Sequence, residues 1–273
     1  VIGSLFTQAQ AVDITAVVNA AYEKYKGLEE GANADYIPAL AKVDPNMFGI
    51  VVVTVDGEVY SAGDISSEVS IQSISKVFTM ARVMEDSGTE VITDNMGVDA
   101  TGQVFNSIVA IEQYQGQQMN PGAIAATSMV KGGSEKKVCQ NIIDTYNDFA
   151  GRKLTVMEDI YKSEADTNQR NQALAMLMYA YGRIEKAPLE ATDIYTRQCS
   201  VGVNAKDLAT MAATLANGGK NPVTGKTVVR HEIIPEVLAV MATAGLYDDS
   251  GQWLYRTGLP AKSGGGGGIL AVS

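Results

Sequence analysis

The chain has 273 residues, a formal net charge of −10 and a pI near 4.7, with 46% hydrophobic and 19% charged residues. That length supports a substantial core, and so acidic a surface repels phosphate backbones, which excludes nucleic acid as a partner. No run of about 18 apolar residues exists to span a membrane, no signal peptide is legible at the start, and the lone Cys139 and Cys199 suit a reducing, cytoplasmic compartment without disulfides.

In chain order, "AVDITAVVNAAYEKYKG" has apolar residues at helical spacing and stops at Gly27. "FGIVVVTVDGEVYSAGD" reads as two β-branched runs around Asp56-Gly57, the signature of a β-hairpin. From Ser73 to about Ala244 the pattern is almost entirely helical, as in "ISKVFTMARVMED", "EKKVCQNIIDTYNDFAG", "QRNQALAMLMYAYGRI" and "AKDLATMAATLANGG". Pro260, "KSGGGGG" and the short apolar strand "ILAVS" follow. Strands at both ends around a helical insert predict one sheet assembled from the two termini. No repeat and no linker divides the chain. The glycines Gly264 to Gly268 are too few for a linker and predict backbone packed against a neighbour.

Several chemical candidates fall away on inspection. "GKNPVTGKT" has one residue too many for a phosphate-binding loop and follows a helix, so it reads as a turn. His231 is the only histidine, which rules out a multi-histidine metal site and places it at an exposed helix start. A serine enzyme built on this chain therefore needs another base, and a desolvated lysine is the obvious one.

Ser-x-x-Lys occurs three times. Lys131 runs into Gly132-Gly133 as a solvated helix end, and Ser134 caps a charged helix. Ser73 differs: it opens a helix whose continuation, "VFTMARVM", demands burial, so the i,i+3 spacing sets the Lys76 amine over the Ser73 hydroxyl. Lys262-Ser263-Gly264 near the C-terminus supplies a K-S-G element. SxxK with K-[ST]-G is the pairing of the penicillin-recognising serine enzymes. A strand beside the nucleophile can present a backbone N–H to an oxyanion.

The blocks "ADYIPALA", "TVDGEVYSAGD", "IQSISKV", "SEADTNQRN", "YTRQCS", "MAATLANGG", "GLYDDSGQW" and "GLPAKSG", spread from about Tyr22 to Ser273, resemble the serine-dependent glutaminases of bacteria and mitochondria. The resemblance implies an α+β fold of the β-lactamase/DD-peptidase kind: an antiparallel sheet from both termini (about 1–64 and 256–273) and a large inserted helical subdomain (about 65–255), together one catalytic domain. It implies hydrolysis of L-glutamine to L-glutamate and ammonia without metal or organic cofactor, in a cytoplasmic homo-oligomer, dimer or tetramer. Ser73 would be nucleophile and Lys76 base. Tyr195 and Tyr247 would serve both catalysis and binding, Gly265 would supply the second oxyanion N–H, and Tyr36, Glu164 and Asn171 would line the pocket. Glu164 and Asn171, seven residues apart, would share one helical face if the helix through them is continuous. The alternatives are a β-lactam-recognising hydrolase or peptidase and a glutamine-binding protein without turnover. The chain departs from the family at "MNPGAI", apparently four residues short, where Asn120 aligns with the asparagine before proline and is not counted as a ligand. Gly265 stands where the family has valine, and the family continues beyond "ILAVS".

Overall fold

The computed structural model describes residues 12–114 and 120–273. Helix α1 (Ile14–Tyr25) starts at Asp13, whose carboxylate accepts the Ala16 N–H, and ends with Gly27 just past its last turn. Its Tyr22 stacks on Phe48, with ring centroids 5.5 Å apart, at the entry to the predicted hairpin. Strands β1 (Gly49–Val53) and β2 (Val59–Gly63) pair antiparallel, from Gly49 opposite Gly63 to Val53 opposite Val59. Asp56-Gly57 turns the chain as expected: Gly57 has φ +85° and donates its N–H to the Thr54 carbonyl at 2.9 Å.

Next come β3 (Val69–Ser70), a 3₁₀ turn (Gln72–Ile74) and α2 (Ser75–Ser87), then α3 (Glu90–Asn95), α4 (Val109–Tyr114) and α5 (Asn120–Met129). Helices α6 (Glu135–Ala150), α7 (Glu158–Ala165), α8 (Gln169–Ala180) and α9 (Pro188–Cys199) lead to β4 (Gly202–Val203) and α10 (Ala205–Ala216). The chain closes with α11 (Ile234–Ala244), α12 (Ser250–Thr257), β5 (Ala261–Ser263) and β6 (Ile269–Ala271).

All ten residues of α5 are buried, and most are small. A helix enclosed on every side must offer little bulk, so alanine, glycine, serine and threonine let α2, α8 and α9 pack directly against it. Phe78 on α2 meets Tyr146 and Phe149 of α6 in the same core. The result is a mixed α/β structure, helical in bulk, with small antiparallel sheets.

The expectation of one sheet drawn from both termini is not met among the described residues. β1–β2, β3–β4 and β5–β6 form three separate two-stranded sheets. Helix α10 packs against both β1 and β6, so the terminal hairpins are joined through its apolar side chains instead of a hydrogen-bond ladder. β3–β4 is a strand pair within the part, about 65–255, read as an almost entirely helical insert. The smaller expectations hold: Ser134 caps α6 by accepting the Lys137 N–H, "NPVTG" is a turn organised by Asn221, and His231 is exposed in a 3₁₀ turn before α11. No helix among the described residues is long and apolar enough to cross a membrane.

Candidate active site

The site forms where β3 hands the chain to α2. Ser70 pairs with Gly202 of β4, and the Ile71 N–H reaches the Val201 carbonyl at 2.8 Å, so the strand is held up to its last residue. Gln72 then takes φ +46°, a left-handed conformation that costs a side-chain-bearing residue roughly 1–2 kcal/mol. Its amide offsets that cost by donating to Ser70 Oγ and Glu164 Oε2, both at 3.2 Å. The sharp turn places Ser73 in the 3₁₀ segment, one step ahead of α2 and not within it as expected. Strain of this kind persists only where neighbours over-determine it, and it concentrates at functional sites.

Lys76, one turn on, is 1% exposed. Its Nζ lies 3.0 Å from Ser73 Oγ, 2.8 Å from Asn120 Oδ1 and 2.7 Å from Tyr247 OH. Burial pushes the amine down to about 7, with Cys199 and Glu164 pulling weakly the other way. The i,i+3 spacing therefore does what the sequence predicts, and the core supplies the desolvation.

Each remaining predicted residue reaches the same place from a different element. Tyr195 on α9 donates to Asn120 Oδ1 at 3.1 Å, and Asn171 on α8 accepts from Asn120 Nδ2 at 2.9 Å. Glu164 at the end of α7 is buried, which raises its carboxyl to about 7 against the opposing pull of Gln72 and Lys76. Burial raises the Tyr247 phenol well above its ordinary range, opposed by its hydrogen bond with Ser73. Tyr36 keeps its ring half in solvent but turns its hydroxyl toward Gly265, where a Cβ would meet that oxygen at 2.6 Å. The Tyr36 loop is carried by α7: Ile37 and Leu40 pack on Ile160, and the Ala39 N–H donates to Ser163 Oγ at 3.1 Å. Phe105 bridges Tyr36 and Tyr247, 5.7 and 5.9 Å from their rings, and lines the mouth with aromatic surface.

Gly265 belongs to the loop Gly264–Gly268 that joins β5 to β6. The predicted close packing is present. A Cβ on Gly266 would lie 2.1 Å from the Ser70 carbonyl oxygen, and one on Gly264 2.9 Å from that of Ile71. Only glycine backbone can lie this near the turn that carries Ser73.

Two expectations need correction. Glu164 and Asn171 do not share a continuous helix. Thr167 Oγ1 donates back to the Ser163 carbonyl at 2.9 Å and closes α7, Asn168 leaves helical geometry and anchors on Thr196 at 3.0 Å, and α8 starts afresh. The two side chains converge because the break re-aims the chain. Asn120, set aside in the sequence, is the hub of the polar cluster; Pro121 sits in the first turn of α5, where a missing N–H costs nothing. The residues before it, 115–119, lie outside the described ones.

Gln72 and Phe105 also belong to the site and were not singled out for it, and Lys262, noted in the sequence as part of the K-S-G element, had no role of its own assigned there. The aliphatic groove of about 380 Å³ lined by Leu215, Ile234, Leu238 and His231 shares no residue with it. Among the described residues no three His, Cys, Asp or Glu side chains gather as a metal cage. What the cluster offers is a serine hydroxyl against a desolvated amine, three tyrosine hydroxyls, a buried carboxyl and three amides.

Known proteins resemble this chain over most of its length. Residues 31–273 match the model of the family described as glutaminase. A glutaminase of Colwellia psychrerythraea strain 34H is 52% identical over 264 residues, 95% of this chain and 85% of that protein. The solved structure of a probable glutaminase, ybaS, superposes with a TM-score of 0.94 at 43% identity, over 96% of this chain and 86% of its own. The structure of Mglu in its tris and glutamate form gives 0.89 at 34% identity, over 96% of this chain and 60% of its own.

Proposed function

The chain belongs to the glutaminase family, and we propose from that premise that it hydrolyses L-glutamine to L-glutamate and ammonia through an acyl-enzyme on Ser73. The observation that carries the mechanism is the Lys76 amine, held near its neutral form, 3.0 Å from Ser73 Oγ. A neutral amine has two N–H donors and one lone pair. Asn120 Oδ1 and Tyr247 OH take the donors, which leaves the lone pair facing the serine proton.

Ser73 Oγ attacks the side-chain amide carbon as its proton passes to Lys76. The oxyanion is held by the backbone N–H groups of Ser73 and Gly265. On collapse the C–N bond breaks, and the nitrogen leaves as ammonia with the proton relayed from Lys76 through Tyr247, whose hydroxyl contacts both Lys76 and Ser73. Water then attacks the γ-glutamyl ester. Lys76 takes the water proton and returns one to Ser73 as glutamate departs. Every proton borrowed is repaid, so no cofactor is required.

Glu164, ionised, pairs with the substrate ammonium. Tyr36, Asn120 and Asn171 present donors for its carboxylate, and Tyr195, whose hydroxyl donates to Asn120 Oδ1, orients that amide beside it. The glutamate form of Mglu, a fold relative, is in keeping with such a pocket. Ser73 in the turn that leads into the buried helix α2, Lys76 in its first turn, and Lys262-Ser263 on β5 with Gly264 just beyond it support a β-lactamase-like arrangement and a single catalytic domain. Two free thiols fit a cytoplasmic setting; homo-oligomerisation is proposed on the family likeness alone.

Ser73→Ala tests the assignment. Ammonia release should fall to background while the melting temperature stays within a few degrees of the parent protein. Retained turnover would sink the acyl-enzyme. A fluorescent penicillin that labels Ser73 would favour the β-lactam-recognising alternative. Calorimetric glutamine binding by a parent protein that releases no ammonia would favour the binding-only one.

A further inference from the structure

Lys262 has no part in the steps above, yet it is as buried as the base itself, and the chain gives it a consistent set of partners. Its Nζ donates to the Gly245 carbonyl at 2.7 Å and to the Ser263 carbonyl at 2.7 Å. The same nitrogen lies 4.2 Å from the centroid of the Tyr247 ring, within cation–π reach, while Lys76 Nζ lies 4.8 Å from that centroid. Both lysine nitrogens thus approach Tyr247, Lys262 at the ring and Lys76 at the hydroxyl, 2.7 Å away.

Tyr247 needs holding. It has φ +56°, the left-handed region that a side chain with a Cβ avoids. Its segment leaves α11 at Gly245, where β5 crosses so closely that a Cβ would lie 1.8 Å from the Ala261 carbonyl oxygen. The Ser263 N–H also reaches Gly245 O, at 3.3 Å, so strand and turn are tied at one carbonyl. On the far side, Ser250 Oγ accepts the Leu246 N–H and donates to the Tyr247 carbonyl, fixing the backbone but not the ring. The ring face is addressed by Lys262. Its second carbonyl, on Ser263, directly precedes the glycine loop that carries Gly265.

We propose that Lys262 is a positioning residue that locks the Tyr247 ring onto Lys76 and Ser73 and registers the glycine loop against the same turn. This rests on the proposed part of Tyr247 in catalysis and adds a reason for the buried K-S-G lysine. The amine touches neither Ser73 nor a group assigned to substrate; it acts through Tyr247 and one backbone carbonyl on either side. Removing it leaves the ring to Phe105 and to the hydroxyl's own contacts, and misplacement by about 1 Å costs on the order of 10²-fold in rate.

The test is a double-mutant cycle on the full chain, with kcat and KM for glutamine measured for the parent, Lys262→Met, Tyr247→Phe and the pair. Expected are a fall in kcat for Lys262→Met of on the order of 10²-fold with KM within about threefold, and a double variant no slower than the slower single one. Lys262→Gln, whose amide has two N–H donors for the two carbonyls, should lose less than Lys262→Met, and it stands in for Lys262→Met if that protein does not fold. A merely structural lysine would lower the melting temperature and leave kcat per folded molecule unchanged; that result overturns the proposal, as do strictly additive losses. If Tyr247→Phe keeps full kcat, the assignment of Tyr247 fails and the role of Lys262 fails with it. If Tyr247→Phe is slow and Lys262→Met is not, only the role of Lys262 falls.

Discussion

Replacing Lys76 by methionine should abolish ammonia release and yet stabilise the protein in mild acid. The fold holds this amine at about 7 against an ordinary value of 10.5. At about 1.36 kcal/mol per unit, that difference is on the order of 5 kcal/mol of penalty on the charged form. The sign follows from proton counts. Between pH 7 and 10.5 the unfolded chain holds the proton that the native chain has shed, so native stability rises with pH through this window. Below pH 7 the penalty is present in full, and above 10.5 it is gone. Methionine has nearly the same length and carries no charge, but it gives up contacts to Ser73, Asn120 and Tyr247. At about 1 kcal/mol each, those losses come to roughly 3 kcal/mol. At pH 6 the variant should therefore be more stable by on the order of 2 kcal/mol, a rise of roughly 5 °C in Tm. The Glu164 carboxyl, raised to about 7, is largely neutral there and loses no ion partner. At pH 10 most of the penalty has disappeared and the lost contacts dominate, so the sign should reverse to a destabilisation of about 2 kcal/mol. Thermal melts or urea titrations of parent and variant at both pH values make the comparison. A variant destabilised at pH 6, or a difference that does not move with pH, would refute a base made by burial.

Activity should show the same pair of groups. Turnover needs Lys76 neutral and Glu164 ionised, and both sit near pH 7. On the acid side, log kcat/KM should fall with a limiting slope approaching two, because two protons must leave the pair. Glu164→Gln should lower kcat/KM and bring the slope to one; an unchanged slope would remove Glu164 from the titration. The glycine loop offers a paired contrast. A Cβ on Gly265 meets only the mobile hydroxyl of Tyr36, so Gly265→Ala should raise KM several-fold and leave kcat nearly intact. A Cβ on Gly266 meets the Ser70 carbonyl, backbone that cannot yield, so Gly266→Ala should displace the loop and cost kcat at least tenfold. Equal effects of the two on both constants would contradict the loop's place beside the nucleophile.

Much of this site could be read from short stretches of chain, because the features concerned are short-range. Ser73 and Lys76 meet because three residues of helical turn, 3₁₀ leading into α2, set their side chains 3.0 Å apart. Asp56-Gly57 makes a hairpin for an equally local reason: glycine can take the positive φ that the turn requires. Family blocks then pointed to Tyr36, Glu164, Asn171, Tyr195, Tyr247 and Gly265, and the fold gathers all of them around Lys76. Asn120 was missed because spacing beside a proline says nothing about where a side chain ends. It becomes the hub only when α5 is buried between α2, α8 and α9. Gln72 left a weaker signal still, since a left-handed glutamine is invisible until its backbone is built.

The single sheet failed for the opposite reason: short strands do not announce their partners, and here the terminal hairpins each pair within themselves and meet only through α10, which packs against both. The amino-acid sequence by itself determined the helices, the hairpin, the Ser73–Lys76 spacing and the glycine loop, since each depends on a few consecutive residues. Only the tertiary structure decided that the lysine is dry, that a broken helix aims Glu164 and Asn171 at one space, and that two amines approach Tyr247. Desolvation and convergence come from elements far apart in the chain, and a proton's affinity for Lys76 is set by all of them at once.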